Sequence, residues 1–196
     1  MENNGLSKVY QFTLVLKGLD EDTAAIEDSL YEAGCDDALI NFKNGTVYLD
    51  FDRTSTSFSE AVMSAIRDVE SSSVGATVVS VAPENLVTMS EIAKRAQVER
   101  QTVLFWTTGT RRKQATQSFP KPFMKLAERS PIWKWSEIAV WLFANKLINS
   151  KEAVDNAKFL EIINVALERR ELLENTADKQ LFQKLNKDIE RRTVNE

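Results

Sequence analysis

Several side chains near the middle of the chain have the chemistry to contact a nucleic acid. Arg100 and Gln101 are adjacent, and their forked groups can form paired hydrogen bonds with the edges of guanine and adenine, respectively. Thr102 follows, with a hydroxyl for a phosphate and a methyl group that can touch the methyl of thymine. Cationic side chains suited to phosphate oxygens occur further along, at Arg111, Arg112, Lys113, Lys121 and Lys134. Phosphate contacts of this kind supply affinity and register but little sequence information.

The charge of the chain is unevenly distributed and divides it into three predicted domains. Residues 1–85 hold 5 Lys/Arg against 15 Asp/Glu, a net charge of −10. Residues 86–146 hold 11 against 4, a net of +7, and residues 147–196 hold 9 against 10, a net of −1. A basic segment inside an acidic protein favours a nucleic-acid partner over a basic face that is merely solvated.

Composition also excludes several classes of function. The chain has no histidine and one cysteine, so a Ser-His-Asp triad, a zinc site and an intrachain disulfide are excluded. The cluster Cys35-Asp36-Asp37 fits a turn between a helix and a strand better than a cation site. No Asp/Glu pair stands in a motif for acid–base catalysis. We therefore expect no enzymatic activity and no cofactor.

The sequence predicts a protein of the cytoplasm. The first residues, MENNGLSKVYQF, lack the basic region and apolar stretch of a signal peptide. No apolar run approaches the roughly 18 to 20 residues that a membrane span needs. A single cysteine suits a reducing compartment.

Residues 1–85 predict an α+β domain. Asn44-Gly45 lies between alternating apolar residues and predicts a two-residue hairpin turn within 38–52. The other elements are predicted by apolar periodicity, with strands at 9–16 and 76–84 and helices at 20–35 and 57–72. The order strand-helix-strand-strand-helix-strand is that of a ferredoxin-like split βαβ sandwich.

Residues 86–109 predict a helix-turn-helix. Thr88 or Ser90 can cap a first helix whose apolar residues are Ile92, Ala93 and Ala96. A turn at 97–99 separates it from a second helix, from Arg100 to about Thr107, which Gly109 ends. Two short helices joined by a tight turn form this motif.

The segment after the second helix predicts a wing. Residues 110–122 are basic, polar and without apolar periodicity, and their prolines hold a loop extended. Alternation then places Ile132, Lys134 and Ser136 on one side of a strand, and Trp133 and Trp135 on the other. We expect the tryptophans to be core residues, Lys134 to face outward towards a phosphate, and Ser136 to cap a further helix. Helix, turn, helix, basic loop, strand and helix make a winged helix-turn-helix.

Two stretches of this segment, MSEIAKRAQVERQTVLFW and FPKPFMKLAERSPIWKWSEIAVWL, resemble the MerR-type winged helix-turn-helix. The similarity covers about residues 86–146 and is greatest to the small phage-regulator and excisionase-like branch. It implies binding to double-stranded DNA, with the second helix in the major groove and the wing along the flanking backbone. By position, Glu99, Arg100, Gln101 and Thr102 begin the recognition helix, and Arg111, Arg112 and Lys113 lie in the wing. We also expect Thr88, Lys121 and Lys134 to contact the DNA backbone, as the wing residues do.

This chain departs from the effector-sensing members of that family. It has Leu104-Phe105-Trp106 where they commonly have an Arg-Tyr-Tyr run, and it lacks their C-terminal metal-binding cysteines. The resemblance therefore implies neither metal sensing nor drug sensing.

The tail, residues 147–196, predicts a helical hairpin broken near Asn175-Thr176. Its apolar residues can pack on the chain's own domains or form a dimer seam, and we favour a homodimer because many DNA readers of this size bind two half-sites.

The acidic first domain is expected to face away from DNA, as a sensor, a second dimer surface or a docking face for a protein partner. The expected function is a sequence-specific transcriptional regulator. The alternatives are an antitoxin or phage-type accessory protein that autoregulates, and an architectural DNA-bending protein.

Overall fold

The computed structural model describes residues 7–109, 118–125 and 130–193. In these residues the chain is a mixed α+β protein, as predicted, with a four-stranded antiparallel sheet, a two-stranded sheet and seven helices. In chain order the elements are β1 (Lys8–Lys17), α1 (Ile26–Glu32), β2 (Ala38–Lys43), β3 (Thr46–Ser55), α2 (Phe58–Ser71), β4 (Thr77–Ala82), β5 (Leu86–Thr88), α3 (Met89–Arg95), α4 (Arg100–Thr107), β6 (Ile132–Lys134), α5 (Trp135–Ala144), α6 (Lys151–Leu172) and α7 (Thr176–Thr193).

The four-stranded sheet has the order β2-β3-β1-β4. Alternate residues of β1 and β3 are buried, as the period of two in their sequences predicts, and Phe12 lies opposite Phe51 with the rings stacked 5.2 Å apart. Apolar side chains of α1 and α2 complete this core. The turn between β2 and β3 is the predicted one, since Asn44 and Gly45 have φ angles of 53° and 73° and join the pair Lys43 and Thr46 directly.

Helix α1 is much shorter than the predicted helix over residues 20–35. The carboxylate of Asp20 accepts hydrogen bonds from the Asp22 backbone N–H at 3.1 Å and from the Thr23 hydroxyl at 2.9 Å. Ala25 then takes a left-handed conformation with a φ of 54°. The acidic residues that look like a first helical turn therefore form a separate turn, because aspartate competes for backbone N–H groups.

Arg53 provides the main polar contacts inside the first core. Its side chain is only 8% exposed, and its guanidinium binds both oxygens of Asp37 at 2.8 Å and one oxygen of Asp68 at 2.6 Å. Arg53 also donates to the Gly34 carbonyl. Cys35 is buried beside this network, and burial raises the pKa of its thiol to about 11. The predicted turn at Cys35-Asp36-Asp37 is confirmed, and the carboxylate of Asp37 pairs with the guanidinium of Arg53.

Helix α6 and helix α2 cover the outer edge of β4. The side-chain amide of Asn164 on α6 both accepts from the Val81 N–H and donates to the Val81 carbonyl, each at 2.8 Å. Three residues earlier in the strand, Glu70 on α2 accepts from the Val78 N–H at 3.0 Å, and Arg170 on α6 binds the Val78 carbonyl. An uncovered edge would offer these backbone groups to another strand.

The tail consists of α6 and α7, and the break between them falls where the sequence predicts it. One face of α6 packs within the chain, through Leu160 and Leu167 against the sheet core and through Val154 and Ala157 against α5. This is one of the two arrangements that the sequence left open for the tail.

Candidate nucleic-acid interface

The predicted site lies in a second, separate core built by β5, α3, α4, β6 and α5. Its fully buried side chains include Val87, Ile92, Val103, Ile138 and Leu142. These residues belong to β5, α3, α4 and α5, so the packing holds the two short helices against the small sheet and α5.

Helix α3 begins at a capping box, and Thr88, one of the two caps that the sequence predicts, is its N-cap. The Thr88 hydroxyl accepts from the Glu91 N–H at 3.4 Å, and the Glu91 carboxylate accepts from the Thr88 N–H at 2.6 Å and from its hydroxyl at 2.8 Å. Hydrogen bonds from the Thr88 backbone and side chain lower the pKa of Glu91. These reciprocal bonds give acceptors to two backbone N–H groups that have no partner within the first turn of the helix.

The turn between α3 and α4 lacks glycine but takes the geometry that glycine usually provides. Gln97 has a φ of 54° and donates its N–H to the Lys94 carbonyl at 3.2 Å, while the Val98 N–H binds the Ala93 carbonyl at 2.9 Å. This pair of bonds is a Schellman motif with Gln97 in the left-handed position. Val98 packs on the second core and stabilises the turn.

Helix α4 turns one face to the core and the other to solvent. Val103 and Trp106 are buried, while Arg100, Gln101 and Leu104 are exposed and Thr102 is half-buried. Glu99 is the exposed residue that precedes the helix, and its side chain makes no capping hydrogen bond. The structure thus brings the four predicted recognition residues together at the solvent-facing start of one helix.

Trp106, Trp133, Trp141 and Phe119 form an aromatic cluster beside α4. Phe119 lies 4.9 Å from the Trp141 ring, which in turn lies 5.3 Å from Trp106. Trp133 is 2% exposed and its indole N–H donates to the Pro120 carbonyl at 3.1 Å. The prediction that Trp133 is a core residue is confirmed, and its bond to Pro120 holds the end of the predicted loop at 110–122 on this core.

The strand at β6 is shorter than its alternating sequence predicts. Residues Ile132–Lys134 pair with β5, a strand that the sequence analysis missed, and Trp135 already begins α5. The predicted cap at Ser136 is wrong. Asn85 fills that role, since its carbonyl accepts from the Trp135 N–H at 2.6 Å and its side chain accepts from the Ser136 N–H at 2.9 Å.

Lys134 and Ser136 are both bound by Glu161 of α6. The Lys134 ammonium lies 2.8 Å from one carboxylate oxygen, and the Ser136 hydroxyl donates to the other at 2.7 Å. These hydrogen bonds lower the pKa of Glu161, and the bond with Glu161 raises the pKa of Lys134. Lys134 does not face outward as predicted, because its side chain is 28% exposed and faces α6. A phosphate contact at Lys134, which remains a prediction, would first require release from Glu161.

Of the other residues predicted to contact phosphates, only Lys121 lies within the described part of the chain. Lys121 is exposed on the segment that leads to β6. Arg111, Arg112 and Lys113 lie outside the described residues. The helix pair also exposes Lys94 on α3, a basic residue that the sequence analysis passed over.

Arg95 is a second basic residue that the sequence analysis missed. Its guanidinium lies over the Trp135 ring at 5.2 Å, and burial lowers its pKa. Its Nη1 atom is buried without a hydrogen-bond partner in the part of the chain that the structure covers. The contact between Arg95 and Trp135 could not be found from the sequence, because the two residues are forty positions apart along the chain.

A groove of about 460 Å³ lies beside this core, where it meets the first core and α6. Its lining combines acidic and apolar side chains, among them Glu84, Leu86, Phe123, Val165 and Glu168. Over the described ranges, no group of three or more Cys, Asp or Glu side chains is placed to hold a metal ion. Likewise, no helix in those ranges is long and apolar enough to cross a membrane.

Comparisons of the chain with protein-family models, with curated proteins and with solved structures give no match.

Proposed function

We propose that this protein is a sequence-specific regulator of transcription that binds double-stranded DNA through residues 86–146. In this proposal these residues act as a winged helix-turn-helix, with α3 and α4 as the helix pair and the segment between α4 and β6 as the wing. The order of elements, the tight turn at Gln97 and the pairing of β5 with β6 support this arrangement. Likewise, the strand order β2-β3-β1-β4 supports a ferredoxin-like sandwich for residues 1–85.

The observation that carries the proposal is the orientation of α4. Val103 and Trp106 anchor the helix in the core, so Arg100 and Gln101 extend from its first turn into solvent. A recognition helix reads DNA with the side chains of its N-terminal part, which enter the major groove. Arg100 and Gln101 suit guanine and adenine there, and Glu99 can accept a hydrogen bond from the amino group of cytosine.

The charge of the segment supports the same partner. The net charge of +7 over residues 86–146 contrasts with −10 over residues 1–85. In the proposed complex the basic segment meets the phosphates and the acidic domain faces away from the duplex. Lys94 and Lys121 are exposed, and in this proposal both contact phosphates.

Selection from a random library of DNA duplexes, followed by affinity measurements against salt, tests this function. We expect one enriched site and a linear fall of log affinity with log salt concentration. Salt-sensitive binding without an enriched site would contradict sequence-specific readout and indicate an architectural protein. An absence of binding at low salt would overturn the proposal and indicate that the segment recognises protein.

A further inference from the structure

The two edges of the four-stranded sheet differ in how they are covered. Side chains of α2 and α6 bind the edge at β4, as described above. The strand at the other edge, β2, pairs with β3 alone among the described residues. Natural proteins protect free edges with prolines, bulges or charges. The pairing of β2 has no bulge, the strand has no proline, and its only charge is Lys43 at its end.

The hairpin geometry shows which backbone groups of β2 point away from β3. The two-residue turn between these strands makes Lys43 and Thr46 a pair that exchanges two hydrogen bonds. Such pairs alternate along an antiparallel ladder, so Asn41 also binds β3. Its neighbours Ile40 and Phe42 therefore direct their N–H and C=O groups towards the free edge. They offer two donors and two acceptors to another strand.

A groove of about 260 Å³ lies between this edge and α1. Its apolar lining includes Leu30, Tyr31 and Ile40, and its acidic lining consists of Glu27 and Asp36. Tyr31 is 68% exposed, so the groove is open to a side chain from outside. Successive side chains of a strand point to opposite faces of the sheet. Every second residue of a strand paired with β2 would therefore lie on the α1 side, beside the groove.

The charges around the groove are mostly negative. Helix α1 exposes Glu27, Asp28 and Glu32, and Asp36 is exposed just before β2, whereas Lys43 is the only basic residue of the strand. None of the four carboxylates forms an ion pair with another described residue. A second copy of the chain would bring the same acids to this edge, and like charges oppose such a contact. A basic strand would be attracted to it.

We propose that β2 binds an extended, basic segment of a partner protein, which adds a fifth strand to the sheet. The segment places an apolar side chain in the groove beside Tyr31, and a lysine or arginine next to Glu27 and Asp36. Backbone hydrogen bonds with Ile40 and Phe42 supply affinity that many sequences share, and the groove selects among them. The contact does not depend on DNA binding by the basic segment of this chain.

Selection from a random library of short linear peptides displayed on phage, with the full chain as the target, tests the chemistry of the partner. We expect enriched peptides with apolar residues two positions apart and at least one lysine or arginine. Enrichment of acidic peptides, or no enrichment, would overturn the proposal.

Amide hydrogen exchange of the full chain, followed by NMR, locates the selected peptide. In the free chain the N–H groups of Ile40 and Phe42 should exchange about tenfold faster than that of Asn41, or more, because Asn41 binds β3. The peptide should slow Ile40 and Phe42 and change Asn41 much less. Slow exchange at Ile40 and Phe42 without peptide would mean that the edge is already covered. That result, or no slowing with the peptide, would overturn the proposal.

N-methylation of the selected peptide tests the backbone hydrogen bonds without changing the protein. Only every second N–H of an added strand faces β2. Methylation of one alternating set of amides should therefore abolish binding, while methylation of the other set should leave most of it. Equal losses for the two sets would contradict the addition of a strand.

A pair of protein variants tests the charge. Asp36→Lys should weaken binding of the selected peptide about tenfold, because it reverses a charge beside the groove. Asp155→Lys makes the same change of charge on α6, at the other edge of the sheet, and should have little effect. Circular dichroism checks that both variants keep their fold. Equal losses for the two variants would mean that the peptide responds to overall charge alone, and would overturn the assignment to this groove.

Discussion

The carboxylate of Glu161 lies 2.8 Å from the ammonium of Lys134 and joins the middle of the long helix α6 to the short strand β6. The same carboxylate accepts a hydrogen bond from Ser136 in the first turn of α5. One side chain of the tail thus holds the start of α5 and the end of the strand before it. Three residues further along α6, Asn164 binds the edge of β4, so α6 connects the two cores of the chain.

We expect Glu161→Gln to lower the free energy of unfolding by about 1.5 kcal/mol, because it removes a charged hydrogen bond between two side chains that are less than a third exposed. Chemical denaturation of both proteins at neutral pH measures the difference. Glu171→Gln is the matched control, since its partner Lys17 is half exposed, and it should have little effect.

The stabilisation by Glu161 should also depend on pH. Its folded-state pKa lies below the ordinary value of 4.5, so its contribution is complete above that value and is lost as the pH falls through the folded-state pKa. Lys134 has a pKa above 10.5, and its contribution is lost only as the pH rises through that higher value. The difference between the natural protein and Glu161→Gln should therefore be constant near neutral pH and shrink in acid. A difference that grows in acid would contradict the ion pair.

We expect Arg53→Ala to destabilise the protein by about 3 kcal/mol, because it leaves Asp37 and Asp68 without their shared cation. Arg53→Lys should recover part of the loss, since one ammonium cannot bind both oxygens of Asp37 and Asp68 at once. Thermal or denaturant unfolding gives both values. Arg67→Ala, which breaks an exposed pair with Glu60, is the control and should stay within about 0.5 kcal/mol of the natural protein. A loss for Arg53→Ala as small as that of the control would contradict this role.

Arg100→Ala and Gln101→Ala should each weaken binding to the selected site by about 1 to 3 kcal/mol and relax the preference at one base pair. Lys121→Ala, a change at a predicted phosphate contact, should instead weaken binding to all sequences alike and reduce the salt slope by about one. Titration of each variant with the selected duplex and with a scrambled one separates the two effects. Equal losses on both duplexes for all three variants would contradict a recognition role for α4.

Thr88→Ala should lower stability by about 1 kcal/mol, because it removes the side-chain half of the capping box on α3. Thr88→Ser keeps the hydroxyl and should keep most of the stability. Denaturation compares the three proteins, and DNA affinity measured on the same samples shows whether Thr88 also contributes to binding. If Thr88→Ser loses as much stability as Thr88→Ala, the hydroxyl is not what caps the helix.

Much of the local structure could be predicted from the sequence. The Asn44-Gly45 turn and the Thr88 cap of α3 both depend on residues within a few positions of one another. The solvent-facing residues of α4 could also be predicted, since helical periodicity separates Arg100 and Gln101 from Val103 and Trp106. The start of α1 could not, because the side chain of Asp20 competes with the helix for its own local turn.

The sequence by itself determined the class of the fold, the helix pair at 89–107 and the residues that begin its second helix, because turn chemistry and apolar periodicity act over short distances along the chain. Only the tertiary structure decided which distant residues bind the start of α5 and the end of β6. Asn85 caps α5 from the connection between β4 and β5, and Glu161 holds Lys134 from a helix 27 positions away. The tertiary structure also decided which face of α6 stays exposed, because burial depends on which elements meet in space and not on the pattern of one helix alone.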